Sequence, residues 1–338
     1  MPRPLAGQVV VVTGASSGIG LCTARAFAAA GAALVATARS RERLDALVEE
    51  IVAAGGRACS VPADVRDPEA MQEVARVAVD RFGRIDTWVN NAGVGVIGWT
   101  EQVEPAVYDT AMRTNYLGQV HGVLAALPRL RAAGGGVIVG VSSVEGARGV
   151  PLQAAYAASK WALRGFYEVL RMELEAASEP IAVTVVLPAA IDTPFYVNAR
   201  SYTGWQPKPP PLVYVPEVVA RAIVRAAEHP TRDVVVGGSG LGFLFAERFA
   251  PRLADRAMSS GDWAFRVQRS SVPAGGDGLD APLPGLPAER SGEPVRALRH
   301  SAYTAAVGDR PAVRRALLLA ALAGFAAVIR SSKRSSPG

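Results

Sequence analysis

The chain has 338 residues, half of them hydrophobic, and a formal net charge of +6. That length accommodates one large domain or two small ones, with ample core. Five basic residues (Arg314, Arg315, Arg330, Lys333, Arg334) and no acidic ones fall in residues 311–338, so the remainder is close to charge balance and a general nucleic-acid-binding surface is excluded.

Met1-Pro2-Arg3-Pro4 runs almost directly into a strand, which leaves no room for a signal peptide and leads us to expect a cytoplasmic protein. Residues 8–13 are valine-rich between Gly7 and Gly14 and read as a strand buried on both faces. Thr13-Gly14-Ala15-Ser16-Ser17-Gly18-Ile19-Gly20 follows, and then a helical run over 21–30. Strand, glycine-rich turn and helix bring backbone N–H groups and a helix N-terminus toward a pyrophosphate. The spacing is Gly-x-x-x-Gly-x-Gly, and glycine serves where a Cβ would hold a ligand off. A second strand, 33–38, ends at Arg39-Ser40, where an acidic residue would bind the ribose of NAD. Arg39, with Arg41 and Arg43 nearby, suits the 2′-phosphate of NADP instead; the plainer alternative is that Arg39 opens the solvated helix over 41–54.

Strand and helix continue to alternate: strand 58–61, Asp64-Val65, helix 68–82, strand 87–90 and Asn90-Asn91-Ala92-Gly93. A long helix is expected over 105–131, carrying Asn115, with Pro128 in its last turns. Strand 136–142 closes on Ser142-Ser143. A helix over 152–177 carries Tyr156 and Lys160 four residues apart, hence on one face. An ammonium beside a phenol favours the phenolate and lowers its pKa, which helps tyrosine exchange protons near neutrality. Strand 181–187 leads to Pro188-Ala189-Ala190-Ile191-Asp192-Thr193-Pro194, followed by helix 216–228 and strand 233–236. The alternation predicts an α/β Rossmann-type, doubly wound parallel sheet of about seven strands. Every motif falls at the carboxyl end of a strand, where such sheets bind ligands. Cys22 and Cys59 lack metal or redox spacing and read as small core residues of a reducing compartment, and the three histidines are scattered, so no metal is expected.

Thr13-Gly14…Gly18-Ile19-Gly20, Asp64, Asn90-Asn91-Ala92-Gly93, Asn115, Ser143, Tyr156-x-x-x-Lys160 and Pro188…Thr193-Pro194 resemble the short-chain dehydrogenase/reductase family in its compact, single-domain branch, over roughly residues 5–240. The resemblance implies Tyr156 as general acid in carbonyl reduction and base in alcohol oxidation. It implies Lys160 as the group that lowers the Tyr156 pKa and binds the nicotinamide ribose, Ser143 as holder of the substrate oxygen, and Asn115 as anchor of a water that links Lys160 to solvent. Its cofactor residues would be Gly14, Ser16, Ser17, Gly18, Ile19, Gly20, Arg39, Asp64, Val65, Asn91, Ala92, Gly93, Tyr156, Lys160, Pro188, Ile191 and Thr193, with Asn90 at the sheet edge. The family usually carries glycine after the proline, whereas this chain has Ala189-Ala190, whose added methyls narrow the space near the nicotinamide. Glu145 is either a solvated loop charge or a substrate contact. The expected activity is hydride transfer between NADP(H) and a carbonyl or secondary alcohol; a catalytically silent NADP-binding scaffold is the alternative.

Phe195, Tyr196, Tyr202, Trp205 and Tyr214, with prolines at 207, 209, 210 and 211, fall where the family has a substrate lid, and suggest a lipophilic small-molecule substrate or simply lid packing. Domains are expected at 1–240 (NADP-binding and catalytic), 241–268 (helical extension), 269–310 (flexible linker, from its Gly, Pro and Ser content) and 311–338. Within the last, residues 316–329 are uncharged and bracketed by basic residues. A helix of that length spans about 21 Å against a bilayer core of about 30 Å. A membrane tether holding the protein to the inner face of a membrane is one expectation, and docking on protein the other. A homodimer or homotetramer through the two long helices is also expected.

Overall fold

The protein is described by a computed structural model covering residues 2–259, 266, 268–283, 289–292, 296–301 and 303–304. Elements in chain order are β1 (Val9–Thr13), α1 (Gly18–Ala29), β2 (Ala33–Ala38), α2 (Arg41–Ala53), β3 (Arg57–Pro62), α3 (Pro68–Phe82), β4 (Thr87–Asn90), β5 (Val96–Ile97), α4 (Pro105–Met112), α5 (Gly118–Ala132), β6 (Gly136–Val141), α6 (Ala154–Ala176) and β7 (Ile181–Pro188). They continue with β8 (Arg200–Ser201), β9 (Trp205–Pro207), α7 (Pro216–Glu228), β10 (Asp233–Val236), α8 (Gly238–Phe249), α9 (Pro251–Ser259) and β11 (Arg269–Pro273).

Seven strands form one parallel sheet in the order β10-β7-β6-β4-β1-β2-β3. β1 reads Val-Val-Val-Val-Thr because both faces are covered. Val10 and Val12 join a core with α1, α2 and α7, while Val11 joins the opposite core with α3, α5 and α6. From β1 the chain winds outward through β2 and β3, then returns to the other flank of β1 as β4. The ends of β1 and β4 therefore face a crevice at the switch of winding direction. Local signals agree with the elements they delimit. The Asp67 side chain accepts from the N–H groups of Glu69 and Ala70, Pro68 follows at the first helical position, and Gly83 ends α3 at φ +85°.

The expected helix over 105–131 is interrupted. A π-helical turn at Arg113–Leu117 separates α4 from α5 and carries Asn115 at its centre. Such turns reorient side chains within a helix and recur at functional sites, but leave no periodicity signal. The helix expected from 152 begins at Ala154, because Leu152 lies at φ +73°.

The extension over 241–259 is helical, as expected, and the stretch after it differs from expectation. α8 packs beside the sheet, and Arg148 ties α8 and α9 to the body through ion pairs with Glu247 and Asp255. Part of the stretch read as a flexible linker is a structured surface layer: β11 pairs antiparallel with β9, and the Ala274 N–H donates to the Gly204 carbonyl at 3.1 Å. Its Gly and Pro content marks turns in a chain that stays on the domain. Among the described residues no helix is long and apolar enough to cross a membrane; residues 316–329 lie outside them.

Candidate active site

A groove of about 730 Å³ runs along the carboxyl ends of the strands. All the expected site residues line it except Gly20 and Asn115. At one end the glycine-rich turn forms a cradle. Gly14 (φ +67°) lies so close to β4 that a Cβ would come within 2.8 Å of Ala92 Cα, and Gly18 (φ +51°) abuts Thr193. Ser17 precedes α1 without a side-chain cap, so the first N–H groups of the helix remain for a phosphate. This arrangement fits a dinucleotide pyrophosphate. Gly20 serves it from behind: a Cβ there would meet the Gly14 carbonyl oxygen at 2.1 Å. Asn91 clamps the same turn, donating from Nδ2 to the Thr13 carbonyl at 3.0 Å.

At the adenosine end Arg39, Asp64 and Val65 meet as expected. Arg66 binds the Asp64 carboxylate at 2.6 Å. Burial alone would raise the Asp64 pKa, but hydrogen bonds from Arg66 and the charges of Arg66 and Arg39 override it and hold the carboxyl below its ordinary value. The Arg39 guanidinium donates to three backbone carbonyls, those of Gly278, Leu279 and Asp280, at 2.6, 3.0 and 3.0 Å. Nothing in the sequence marks this contact, because its acceptors are peptide groups.

At the other end Ser143, Tyr156 and Lys160 come together. Ser143 ends the loop after β6, and its Oγ accepts from the Glu145 N–H at 3.1 Å. Tyr156 and Lys160 share one face of α6, with Lys160 Nζ 5.5 Å from the centre of the Tyr156 ring and donating to the Val141 carbonyl at 3.1 Å. The expected lowering of the Tyr156 pKa is not found. Burial raises it and the Glu145 carboxyl raises it further, while a hydrogen bond with Ser143 pulls the other way. Burial also pushes Lys160 down to about 8, against the attraction of Glu145. Glu145 is no solvated loop charge. It is 9% exposed, its Oε2 has no hydrogen-bond partner among the described residues, and burial pushes its pKa up to about 8, the Lys160 charge opposing.

Two asparagines hold the elements around the groove. The Asn115 carboxamide accepts from the Val94 N–H at 2.8 Å and donates to the Val94 carbonyl and Ser159 Oγ at 3.0 Å each, so its side chain is spent on holding the loop after β4 to α6. Asn90 is fully buried, accepting from Trp88 Nε1 and donating to the Tyr167 hydroxyl and the Gln119 carbonyl, and does not reach the groove. Ala189 lines the groove, and its methyl is accommodated by Gly237 and Gly240 at the start of α8. Phe195 packs on Tyr156 at 5.1 Å between ring centres and edge-on to Tyr196 at 5.3 Å. Tyr214 is instead buried under α8, accepting from the Gly238 N–H at 3.0 Å. Val144, Val150, Leu212 and Phe243 add to the apolar wall; Leu212 and Phe243 lay outside the expected site because neither carries a chemical signature.

The sequence pattern of the family described as short chain dehydrogenase matches residues 8–203. The chain is 43% identical over 258 residues to the uncharacterised oxidoreductase YxnA of Bacillus subtilis strain 168, covering 76% of this chain and 72% of that protein. Among solved structures it resembles a metagenomic short-chain oxidoreductase in complex with NADP, at 34% identity and a TM-score of 0.59, over 69% of this chain and 98% of the other. It also resembles a short-chain dehydrogenase/reductase from Burkholderia phymatum in complex with NAD, at 25% identity and a TM-score of 0.66, over 77% of this chain and 98% of the other.

Proposed function

The chain belongs to the short-chain dehydrogenase/reductase family, and from that premise we propose an NADP(H)-dependent reductase of lipophilic carbonyl compounds. It is an oxidoreductase that uses a nicotinamide cofactor. The observation that carries the finer reading is the meeting of Ser143, Tyr156 and Lys160 on an apolar wall, in the same groove as the glycine cradle. Arg39 and Arg43 at the end of β2, with no acidic residue between Ala38 and Arg41, support NADP. A solved relative binds NADP, while a more distant one binds NAD.

When bound, the nicotinamide supplies or accepts the hydride. This chain's residues place the carbonyl and manage the proton. The Ser143 and Tyr156 hydroxyls line the same groove and together receive the substrate oxygen. Tyr156, its pKa raised by burial, enters the reaction as the protonated phenol, the state a general acid needs. The buried Lys160 ammonium stabilises the phenolate as the proton leaves. Its Nζ spends one N–H on Val141, leaving two donors for the ribose hydroxyls. Asn115 holds the Val94 loop and Ser159 of α6, and thereby Lys160 one residue on.

The test is NADPH consumption with a panel of lipophilic aldehydes and ketones, with NADH and Tyr156→Phe as controls. Turnover should be stronger with NADPH and fall roughly 10²- to 10⁴-fold in the variant. Tight NADPH binding without turnover in either direction would replace the enzyme reading with that of a nucleotide-binding scaffold. Exposed Leu124 on α5 and Trp161, Val169 and Met172 on α6 support assembly into a homodimer or homotetramer, which light scattering would test. Membrane attachment through residues 316–329 rests on composition; it fails if a chain ending near residue 304 still partitions with vesicles as the full chain does.

A further inference from the structure

Residues 277–283 lie well beyond the matched family region, yet they line the cofactor groove through Gly278, Pro282 and Leu283, opposite Arg39 and Arg43. The segment is anchored along its length. The Asp277 carboxylate accepts from Arg200 Nε at 2.8 Å and Nη2 at 3.1 Å, and Arg200 Nη2 also reaches Asp280 at 2.7 Å. The Gly278 N–H donates to the Asn198 carbonyl at 2.8 Å. Leu279 is 1% exposed, inserted into a cluster with Val94, Val96 and Ala155. These contacts hold the backbone of residues 278–280 with its carbonyls on the Arg39 guanidinium.

A guanidinium has five N–H donors. The three carbonyls lie on Nη1 and Nη2, and among the described residues Nε and one hydrogen of Nη2 have no partner. Two remaining donors on one guanidinium suit phosphate oxygens. An arginine held in this way has already lost side-chain freedom that a solvated one would lose on binding. The nearby acidic groups are themselves paired, Asp64 with Arg66 and Asp280 with Arg200, which weakens their repulsion of an anion. Gly278, Pro282 and Leu283 line the same groove as Arg39 and the glycine turn.

We infer that residues 277–283 form the outer wall of the adenosine end of the cofactor site and, by holding Arg39 through three carbonyls, set the preference for a dinucleotide carrying a 2′-phosphate. This rests on the reading that Arg39 takes that phosphate. NADPH and NADH dissociation constants, measured by fluorescence on the full chain, test both statements in separate arms. Arg39→Ala tests the reading: it should abolish the NADPH preference, and an unchanged NADPH-to-NADH ratio would remove both the reading and the inference.

Arg200→Ala tests the wall. It should weaken NADPH about tenfold and NADH less than threefold, order-of-magnitude values for loosening one preorganised charged contact. Asp280→Asn, a milder change at an exposed carboxylate, should shift the ratio the same way should Arg200→Ala fold poorly. In the wild type, amide exchange across 278–283 should slow when NADPH is added and slow less with NADH. If the Arg200 and Asp280 variants leave NADPH binding unchanged or tighten it, or if NADPH speeds exchange, the segment competes with the phosphate for Arg39 and the inference is overturned.

Discussion

Replacing Glu145 by glutamine removes a buried carboxyl whose Oε2 has no partner among the described residues, while keeping its shape. Burial pushes the group up to about 8 from its ordinary 4.5, with Lys160 opposing. Because the folded-state pKa is the higher one, the native protein retains a proton that the unfolded chain releases. The associated stability is complete below about pH 4.5 and is lost as pH rises toward about 8. At 1.36 kcal/mol per pKa unit, roughly 2 to 3 kcal/mol disappears between about pH 5 and pH 7. Lys160 stays protonated, folded and unfolded, through most of that window, since burial lowers it only to about 8. Without the Glu145 charge Lys160 would titrate lower still, so the comparison should stop at about pH 7. Urea unfolding of wild type and Glu145→Gln at several pH values reads the effect directly. The stability of the wild type relative to the variant should fall by that amount as pH rises. A difference constant within about 0.5 kcal/mol would show that Glu145 is ionised in the folded protein and refute the burial argument.

Gly20→Ala drives a methyl toward the Gly14 carbonyl at 2.1 Å and Asn91 Nδ2 at 2.5 Å. It should cost about 1–3 kcal/mol and weaken NADPH binding more than about tenfold, because the cradle must shift; binding within about threefold of wild type would refute the close approach. Tyr167→Phe deletes a hydroxyl that donates to Gln119 Oε1 at 2.7 Å and accepts from Asn90 Nδ2 at 3.1 Å. The orphaned Gln119 oxygen should cost about 1–3 kcal/mol in urea unfolding, and no measurable loss would mean that the network re-pairs.

The parallel sheet was legible because each strand is a short run rich in small and β-branched residues bounded by turn residues, with helical runs between them and clear stops such as Asp67-Pro68 and Gly83 around α3. The catalytic end was legible because Ser143, Tyr156 and Lys160 carry their chemistry in their side chains. The Tyr156 pKa was not. A lysine four residues away predicts a lowering, but burial and the Glu145 carboxyl, which raise it, are tertiary and have no local pattern. Asn115 was legible as a site residue, but not the π-turn that turns its carboxamide to Val94 and Ser159. Glycine and proline around Leu279 suggested a linker, yet one buried leucine and two aspartates on Arg200 suffice to hold that segment down. Composition counts residues, whereas these anchors depend on what they meet.

The two sides of the Arg39 contact are made at very different moments in the life of the chain. A ribosome releases β2 early, and all seven strands of the sheet precede residue 237, while the carbonyls that cover Arg39 come from residues 278–280. At roughly 5–20 residues per second, some seconds of synthesis separate the last strand from that segment. During this interval the nascent domain can close its sheet with the adenosine end of the groove still uncovered. Arg39 is therefore synthesised, and its strand placed in the sheet, before the carbonyls that occupy its guanidinium exist.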